Sequence, residues 1–317
     1  MTGRLLLLDS ASLYFRAFFG VPELIGPSGV PTNAVRGFLD MIASLIERGR
    51  PTHLAACWDN DWRPAFRVEA IPTYKTHRVA DPVAAAATTA AGGIVAEEVP
   101  DALAPQVTII IDALKALGLT RVGIDGHEAD DVIGTLATTH RGVMPIDIVT
   151  GDRDLFQLVD DDNAIRVLYT AKGGVRSPDL VDQAFILAKY GVATGDAYAD
   201  MAVLRGDSSD GLPGVAGIGE KTAAKLINTY GTLAGVRAAI DDGDPALKGA
   251  QRARLEAGSA YLDAAPRVVA VVRDAPLPEL DLTLPTSVAD PSLMSRLAVD
   301  HGLTSSFERI LGALQID

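Results

Sequence analysis

The chain has 317 residues, with 28 Lys and Arg against 41 Asp and Glu, a formal net charge of −13. That sign argues against a protein that grips phosphates by counterion release, and 48% hydrophobic with 22% charged residues argues against wholesale disorder. The one cysteine, Cys57, excludes an intrachain disulfide or a multi-thiolate zinc site, and the five histidines include no HExxH or His-x-His pair. No apolar run reaches the roughly 18 residues of a membrane span, and MTGRLLLLDS is too short for a secretory signal. The expectation is a cytoplasmic protein with no membrane partner, built as one large or two modest domains.

In chain order, RLLLLD (4–9) is a short apolar run ending in a carboxylate, read as a buried strand. Similar runs fall at 53–59 (HLAACWD), 119–125 (LTRVGID), 146–150 (IDIVT) and 164–169 (AIRVLY), with helical patterns at 32–47, 104–117 and 128–140. Strands alternating with helices predict an α/β fold with a central, mostly parallel sheet and helices on both faces. Such sheets bind ligands beyond the carboxyl ends of their strands, where Asp9, Asp59 and Asp152 fall. From about residue 178 the pattern turns helical. Helices are expected at 178–190, 196–205, 220–229, 232–240, 250–263 and 290–301, with one more strand at 266–273. This predicts an α/β unit over 1–195 and a helical region over 196–317 packed on it. Residues 79–99, Ala-rich with a Gly-Gly pair, read as an excursion outside the core.

Four stretches concentrate carboxylates more than solvation requires: Asp9; Glu128, Asp130 and Asp131; Asp152 and Asp154; Asp207 and Asp210. Glu128 and Asp131, like Asp207 and Asp210, stand three apart, the spacing of one helix face. Each stretch alone reads as an N-cap or a solvated turn. Recurring at strand ends and helix starts, they predict a site for hard divalent cations, Mg²⁺ or Mn²⁺, of the kind that serves phosphodiester cleavage. Asp160, Asp161 and Asp162 have no apolar strand directly before them and read as a solvated turn.

The segment LPGVAGIGEKTAAKLI (212–227) contains two decoys. Glu220 before Lys221 and Thr222 spoils the P-loop, and Thr222 stands where the third glycine of GxGxxG belongs, which speaks against a nucleotide cofactor. What remains is helix, glycine turn, helix. N–H groups at Gly217 and Gly219 can approach a phosphate, and Lys221 and Lys225 share a face.

LLLLDSASLYFRAFF (5–19), TNAVRGFLDMI (32–42), CWD (57–59), FRVEAIPTYKTHR (66–78), EADDVIGTLA (128–137), VTGDRDLFQLV (149–159) and RGDSSDGLPGVAGIGEKTAAKLI (205–227) follow in this order. Together they resemble the 5′-nucleases: the 5′-nuclease domain of bacterial DNA polymerase I and the stand-alone 5′–3′ exonucleases and flap endonucleases. With no polymerase-sized segment after them, the chain looks like the stand-alone type. The resemblance implies a PIN/resolvase-like core with a helical arch over about 62–105, and a helix–hairpin–helix. It implies two or more Mg²⁺ or Mn²⁺ ions on Asp9, Asp59, Glu128, Asp130, Asp131, Asp152, Asp154, Asp207 and Asp210, with Asp130 and Asp152 essential for cleavage.

Tyr74, Lys75 and Arg78 match the family's YKxxR, where Lys75 and Arg78, expected on one helix face, would stabilise charge at the scissile phosphate. Phe15 and Arg16 stand at the family's Tyr-Arg and imply DNA contacts. Gly217, Gly219, Lys221, Thr222 and Lys225 match the hairpin that holds the downstream duplex, often with K⁺ on its carbonyls. Three departures stand out: Gly211 where the family generally has Asn, Ser10 for a Gly, and the Ala-rich insertion at 79–99.

The implied function is a structure-specific 5′ nuclease acting as a monomer on DNA with 5′ flaps or 5′ ends, RNA-primed DNA included, in primer removal and repair. A carboxylate-cluster ribonuclease and a non-cleaving binder of branched DNA are the alternatives. The glycine hairpin speaks against the first and the complete carboxylate set against the second. With the nine site carboxylates set aside, the net charge falls to −4, and residues 48–78 carry six Lys and Arg against three acids. The acidity that first seemed to exclude nucleic acid is concentrated in the site and in the C-terminal segment.

Overall fold

The computed structural model describes residues 3–81, 88 and 96–316. At its centre lies β1 (Leu5–Asp9), buried along its whole length. Leu5 and Leu7 face one apolar core, Leu6 and Leu8 the other, because successive strand side chains point to opposite faces. A strand apolar on both faces requires cover on both, which is why it sits mid-sheet. The other strands are β2 (His53–Cys57), β3 (Arg121–Val122), β4 (Ile146–Thr150), β5 (Ile165–Tyr169) and β6 (Asp179–Val181). Their order is β3-β2-β1-β4-β5-β6, parallel except for β6, which runs antiparallel to β5.

One face is covered by α1 (Ser10–Gly20), α2 (Asn33–Gly49) and the helix Ala104–Leu117, together with residues from the last two helices, Pro291–His301 and Thr304–Leu314. The chain therefore returns to the α/β sheet at its end. The other face is covered by the helix Ala129–Thr139 and by helices between Gln183 and Val269.

The expected helices at 32–47, 104–117 and 128–140 form within two residues of their expected bounds. Four expectations are corrected. The strand at 119–125 shrinks to Arg121–Val122. The helix expected from 178 begins only at Gln183, because Asp182 caps it through the Phe185 N–H (2.8 Å), leaving 179–181 to pair with β5. The helix at 250–263 is two, Gly249–Ala257 and Ser259–Ala264. No strand forms at 266–273. Pro266 opens a short helix to Val269, and the extended residues after it lie against the helix Ala129–Thr139, with the Val272 N–H on Asp131 (2.9 Å).

The helices Ser10–Gly20, Ala65–Ala70 and Thr304–Leu314 were not expected from the pattern. Most of the Ala-rich excursion, 82–87 and 89–95, lies outside the described residues. Its flanks pair, with the Glu98 N–H on the Arg78 carbonyl (2.8 Å) and a bridge between Val79 and Glu97.

Candidate active site

Asp9 is both the last residue of β1 and the N-cap of α1, accepting from the Ser12 N–H (3.1 Å) and the Thr150 hydroxyl (2.6 Å). Thr150 ends the neighbouring β4, so adjacent strand ends hold this carboxylate from two sides. Asp59, just past β2, accepts from the Ala129 N–H (2.8 Å) at the start of the helix Ala129–Thr139. The same helix start presents Glu128 and Asp130, and Asp152 follows β4. Asp9, Asp59, Glu128, Asp130 and Asp152 line one cavity of about 260 Å³, joined by Phe15, Lys75, Arg78 and Glu97.

Crowding has an electrostatic signature. Burial, with Asp59 adding, pushes the Asp9 carboxyl up to about 7 against the pull of the Thr150 hydroxyl. Burial and then the charges of Asp9 and Asp152 push Asp130 well above the carboxylate range, and burial with Asp152 and Asp210 does the same to Asp154. Asp59 and Asp210 are raised too, chiefly by burial. Asp207 is opposite in sign: despite its burial, the Ser209 hydroxyl and the Arg153 guanidinium (2.6 Å) hold it low.

Basic groups are drawn onto these acids. The Lys75 ammonium donates to Glu128 Oε1, and Glu128 keeps it charged against the cost of burial. Arg78 pairs with Asp210 (3.0 Å). Arg67 donates to Glu128 Oε2 (2.5 Å) and forks across both oxygens of Asp131 (2.8 and 2.6 Å). In these side-chain positions no three acids among the described residues converge on one point as ligands.

Several expected roles are therefore redistributed. Asp131 is fully buried, and its oxygens also receive the Glu128 and Val272 N–H groups, so it faces Arg67 rather than the cavity. Tyr74 is also buried, and its hydroxyl donates to Glu128 (2.7 Å). It orients an acid instead of presenting itself to DNA. Lys75 and Arg78 do not share an α-helix: Lys75 has φ +48° and precedes a single 3₁₀ turn, Thr76–Arg78. Asp154, Asp207 and Asp210 fall outside the lining of the acidic cavity, the last linked to it through Arg78. Arg16 donates to the Ala171 carbonyl (2.9 Å) and faces a different hollow.

Sequence reasoning missed Arg67 and Glu97. Both lie in or beside quoted stretches, yet nothing in the string marks which arginine is buried, or that 97 folds back beside 79.

Gly211, the departure from the family's Asn, has a local reason. Its φ is +72°, and a Cβ there would lie 2.3 Å from the Thr73 carbonyl oxygen. The Thr73 hydroxyl donates to the Gly211 carbonyl (2.9 Å) and the Lys75 N–H to the Asp210 carbonyl (2.9 Å). The segment carrying Lys75 thus docks backbone to backbone on the loop carrying Asp207 and Asp210.

Beyond that loop, Gly217 turns at φ +74° and Gly219 caps the helix Glu220–Tyr230 with open space where a Cβ would stand. Lys221 and Lys225 are exposed on that helix, with Thr222 half-buried between them. The Gly217 carbonyl, a candidate K⁺ ligand, already accepts from Arg254 (3.2 Å).

A mostly parallel α/β sheet that gathers carboxylates at its strand ends, beside a lysine and an arginine and ahead of a glycine hairpin, defines a PIN-like nuclease. Comparison with known families specifies it further. Residues 4–191 match the 5′-3′ exonuclease N-terminal resolvase-like domain, and residues 193–290 the 5′-3′ exonuclease C-terminal SAM fold. The chain belongs to the 5′–3′ exonuclease family. It is 55% identical to a 5′-3′ exonuclease of Streptomyces coelicolor over 98% of this chain and 99% of that one. It is 48% identical to one of Mycobacterium tuberculosis, over 99% and 98%. DNA polymerase I of Mycobacterium bovis matches at 39% over 93% of this chain but 30% of its own length. Among solved structures, the T5 5′-exonuclease shares the fold with a TM-score of 0.60 at 16% identity, over 98% of this chain and 99% of that one. Flap endonuclease-1 from Methanococcus jannaschii does so at 0.59 and 13%, over 99% and 93%. No helix among the described residues is long and apolar enough to cross a membrane.

Proposed function

We propose that this nuclease is structure-specific, cutting 5′ flaps near the junction of single strand and duplex and degrading 5′ ends, with RNA-primed DNA among its substrates. On this reading it works as a monomer in the cytoplasm, in primer removal and repair. The observation that carries the reading is the single cavity in which Asp9, Asp59, Glu128, Asp130 and Asp152 meet Lys75 and Arg78.

The donor set is all oxygen and crowded enough to raise its own proton affinity, which fits Mg²⁺ or Mn²⁺. Asp9, Asp59, Glu128, Asp130 and Asp152 would hold such ions, with Asp154, Asp207 and Asp210 serving a second position. Bound there, they would supply an activated water and neutralise charge on the phosphodiester. K⁺ at the hairpin would compete with the Arg254 guanidinium for the Gly217 carbonyl.

The chain's own residues do the positioning. Lys75 and Arg78 enter the cavity from the segment docked on Gly211 and bring positive charge to the reacting phosphate, where charge grows in the transition state. Phe15 offers a ring at the cavity wall for a base to stack on. Gly219, Lys221, Thr222 and Lys225 offer N–H groups, a hydroxyl and charge to the phosphates of the duplex. Hydrolysis would leave a 5′-phosphate and a 3′-hydroxyl.

The test is a cleavage map on a labelled 5′-flap DNA with Mg²⁺, with Mn²⁺ and with EDTA, beside a single-stranded RNA of the same sequence. Metal-dependent cuts clustered at the junction are expected. Preference for the RNA would point to the ribonuclease, and binding without cutting to a junction binder.

A further inference from the structure

A second cavity, of about 280 Å³, shares α1 with the acidic one and has the opposite charge. Ala11, Ser12 and Phe15 of α1 face the acids, while Arg16 and Gly20 face this hollow, the adjacent side of a helix with 3.6 residues per turn. Its other charged walls are Arg176, in the loop after β5, Arg309, on the helix Thr304–Leu314, and Asp40 of α2. Three segments distant in sequence thus bring guanidinium groups to one opening.

The partners of these arginines leave their charge largely intact. Many arginines of the chain are mated to carboxylates, as Arg4 and Arg166 are to Asp147, Arg67 to Asp131 and Arg153 to Asp207. Among the described residues no ion pair involves Arg16, Arg48 or Arg176. Arg16 donates to the Ala171 carbonyl, and Arg48, behind the same loop, to the Val175 carbonyl (2.7 Å). A neutral carbonyl orients a guanidinium without cancelling its charge, and leaves most of its five donors free. Only Arg309 meets a carboxylate, Asp40 at 3.5 Å. The surroundings of this cavity hold surplus positive charge in a chain whose net charge is −13.

We propose that this cavity is a phosphate subsite that holds the nucleic-acid backbone on the side of α1 away from the acidic cavity. It rests on the nuclease reading and adds a second contact for the same DNA. The planar, permanently charged fork of arginine suits phosphate oxygens, and a strand that leaves the acids across α1 meets Arg16 first.

The test is DNA binding by fluorescence anisotropy in EDTA, where nothing is cut, using a 5′-flap DNA with duplex on both sides of the junction, titrated with salt. Arg176→Gln removes one exposed charge. It should lower the slope of log affinity against log salt by about 0.9 and weaken binding about eightfold at 0.1 M salt. Arg176→Lys should restore the slope. Arg309→Gln should act alike, with circular dichroism checking that the fold survives the loss of its Ser44 hydrogen bond. An unchanged slope in both Gln variants, with or without weaker binding, overturns the subsite. Wild-type cutting of the same flap with Mg²⁺ reports separately on the nuclease reading, which fails if no flap is cut.

Discussion

Arg67 and Asp131 form a two-pronged ion pair at 2.8 and 2.6 Å, with side chains only 3% and 0% exposed. The same guanidinium reaches Glu128 at the wall of the acidic cavity and the Val268 carbonyl (3.1 Å) beyond it. One arginine from the segment before YKTHR therefore ties the start of the helix Ala129–Thr139 to the C-terminal half of the chain. Breaking such a pair from one side strands a buried charge, whereas replacing both partners by apolar groups does not. Arg67→Met should cost about 3–5 kcal/mol in urea unfolding, and adding Asp131→Leu should recover part of it. Equal stability of Arg67→Met and the wild type would show that the pair has little structural weight.

Asp130→Asn and Asp152→Asn remove charge from the cavity without removing bulk. Cleavage of a labelled flap should fall below detection in both, while anisotropy shows binding largely retained. Robust Mg²⁺-dependent cutting by both variants would sink the assignment of this cavity to catalysis.

Lys75→Ala should lower kcat about 10²–10³-fold, the usual scale for losing one group aimed at developing charge. Flap affinity should change far less, because an interaction made mainly in the transition state shows in turnover. Equal losses in both would reduce Lys75 to a ground-state phosphate contact.

Gly211→Ala places a methyl 2.3 Å from the Thr73 carbonyl in a backbone conformation that L side chains rarely adopt. The docked segment must shift and Lys75 must move with it. A loss of about 1–3 kcal/mol of stability is expected, together with a drop in kcat larger than any change in KM. A variant with wild-type kcat would show that the docking does not set the position of Lys75.

The raised carboxyls give a pH dependence with a definite sign. Asp9, Asp130 and Asp154 bind protons more tightly in the folded chain than in the unfolded one. The metal-free fold should therefore lose stability as pH climbs from the ordinary carboxylate range, near 4, to the value of about 7 reached by Asp9. Divalent ions that bind only the folded state should restore it. Tm measured at pH 5.5 and 7.5, each with EDTA and with Mg²⁺, checks both halves. A Tm in EDTA that rises between the two pH values would contradict the assignment.

How much of this was legible beforehand differs by kind of residue. The four-leucine run of β1 and the carboxylates after strands could be read in the string, because strand burial and strand-end ligand sites follow from local pattern. The glycine hairpin was legible for the same reason, being a contiguous motif. The supposed strand at 266–273 was misread because valine-rich runs suit any buried extended segment. Its first half, Pro266–Val269, turns into a short helix, and only the residues after it run extended, against a helix instead of a sheet edge.

What the sequence by itself determined is the family, the alternation of strands and helices, and the inventory of acids available to the site. These rest on spacing and order along the chain. Only the tertiary structure decided how those acids divide. Asp131 goes to a buried arginine and Asp207 to Arg153, while Asp9, Asp59, Glu128, Asp130 and Asp152 go to one cavity. It also decided that Gly211 is where two distant backbones touch, and that Arg16, Arg176 and Arg309 line one hollow beside α1. The physical reason is common to all three: burial and charge pairing depend on which segments meet in space. Here the residues brought together are up to 293 positions apart, as Arg16 and Arg309 in one cavity are.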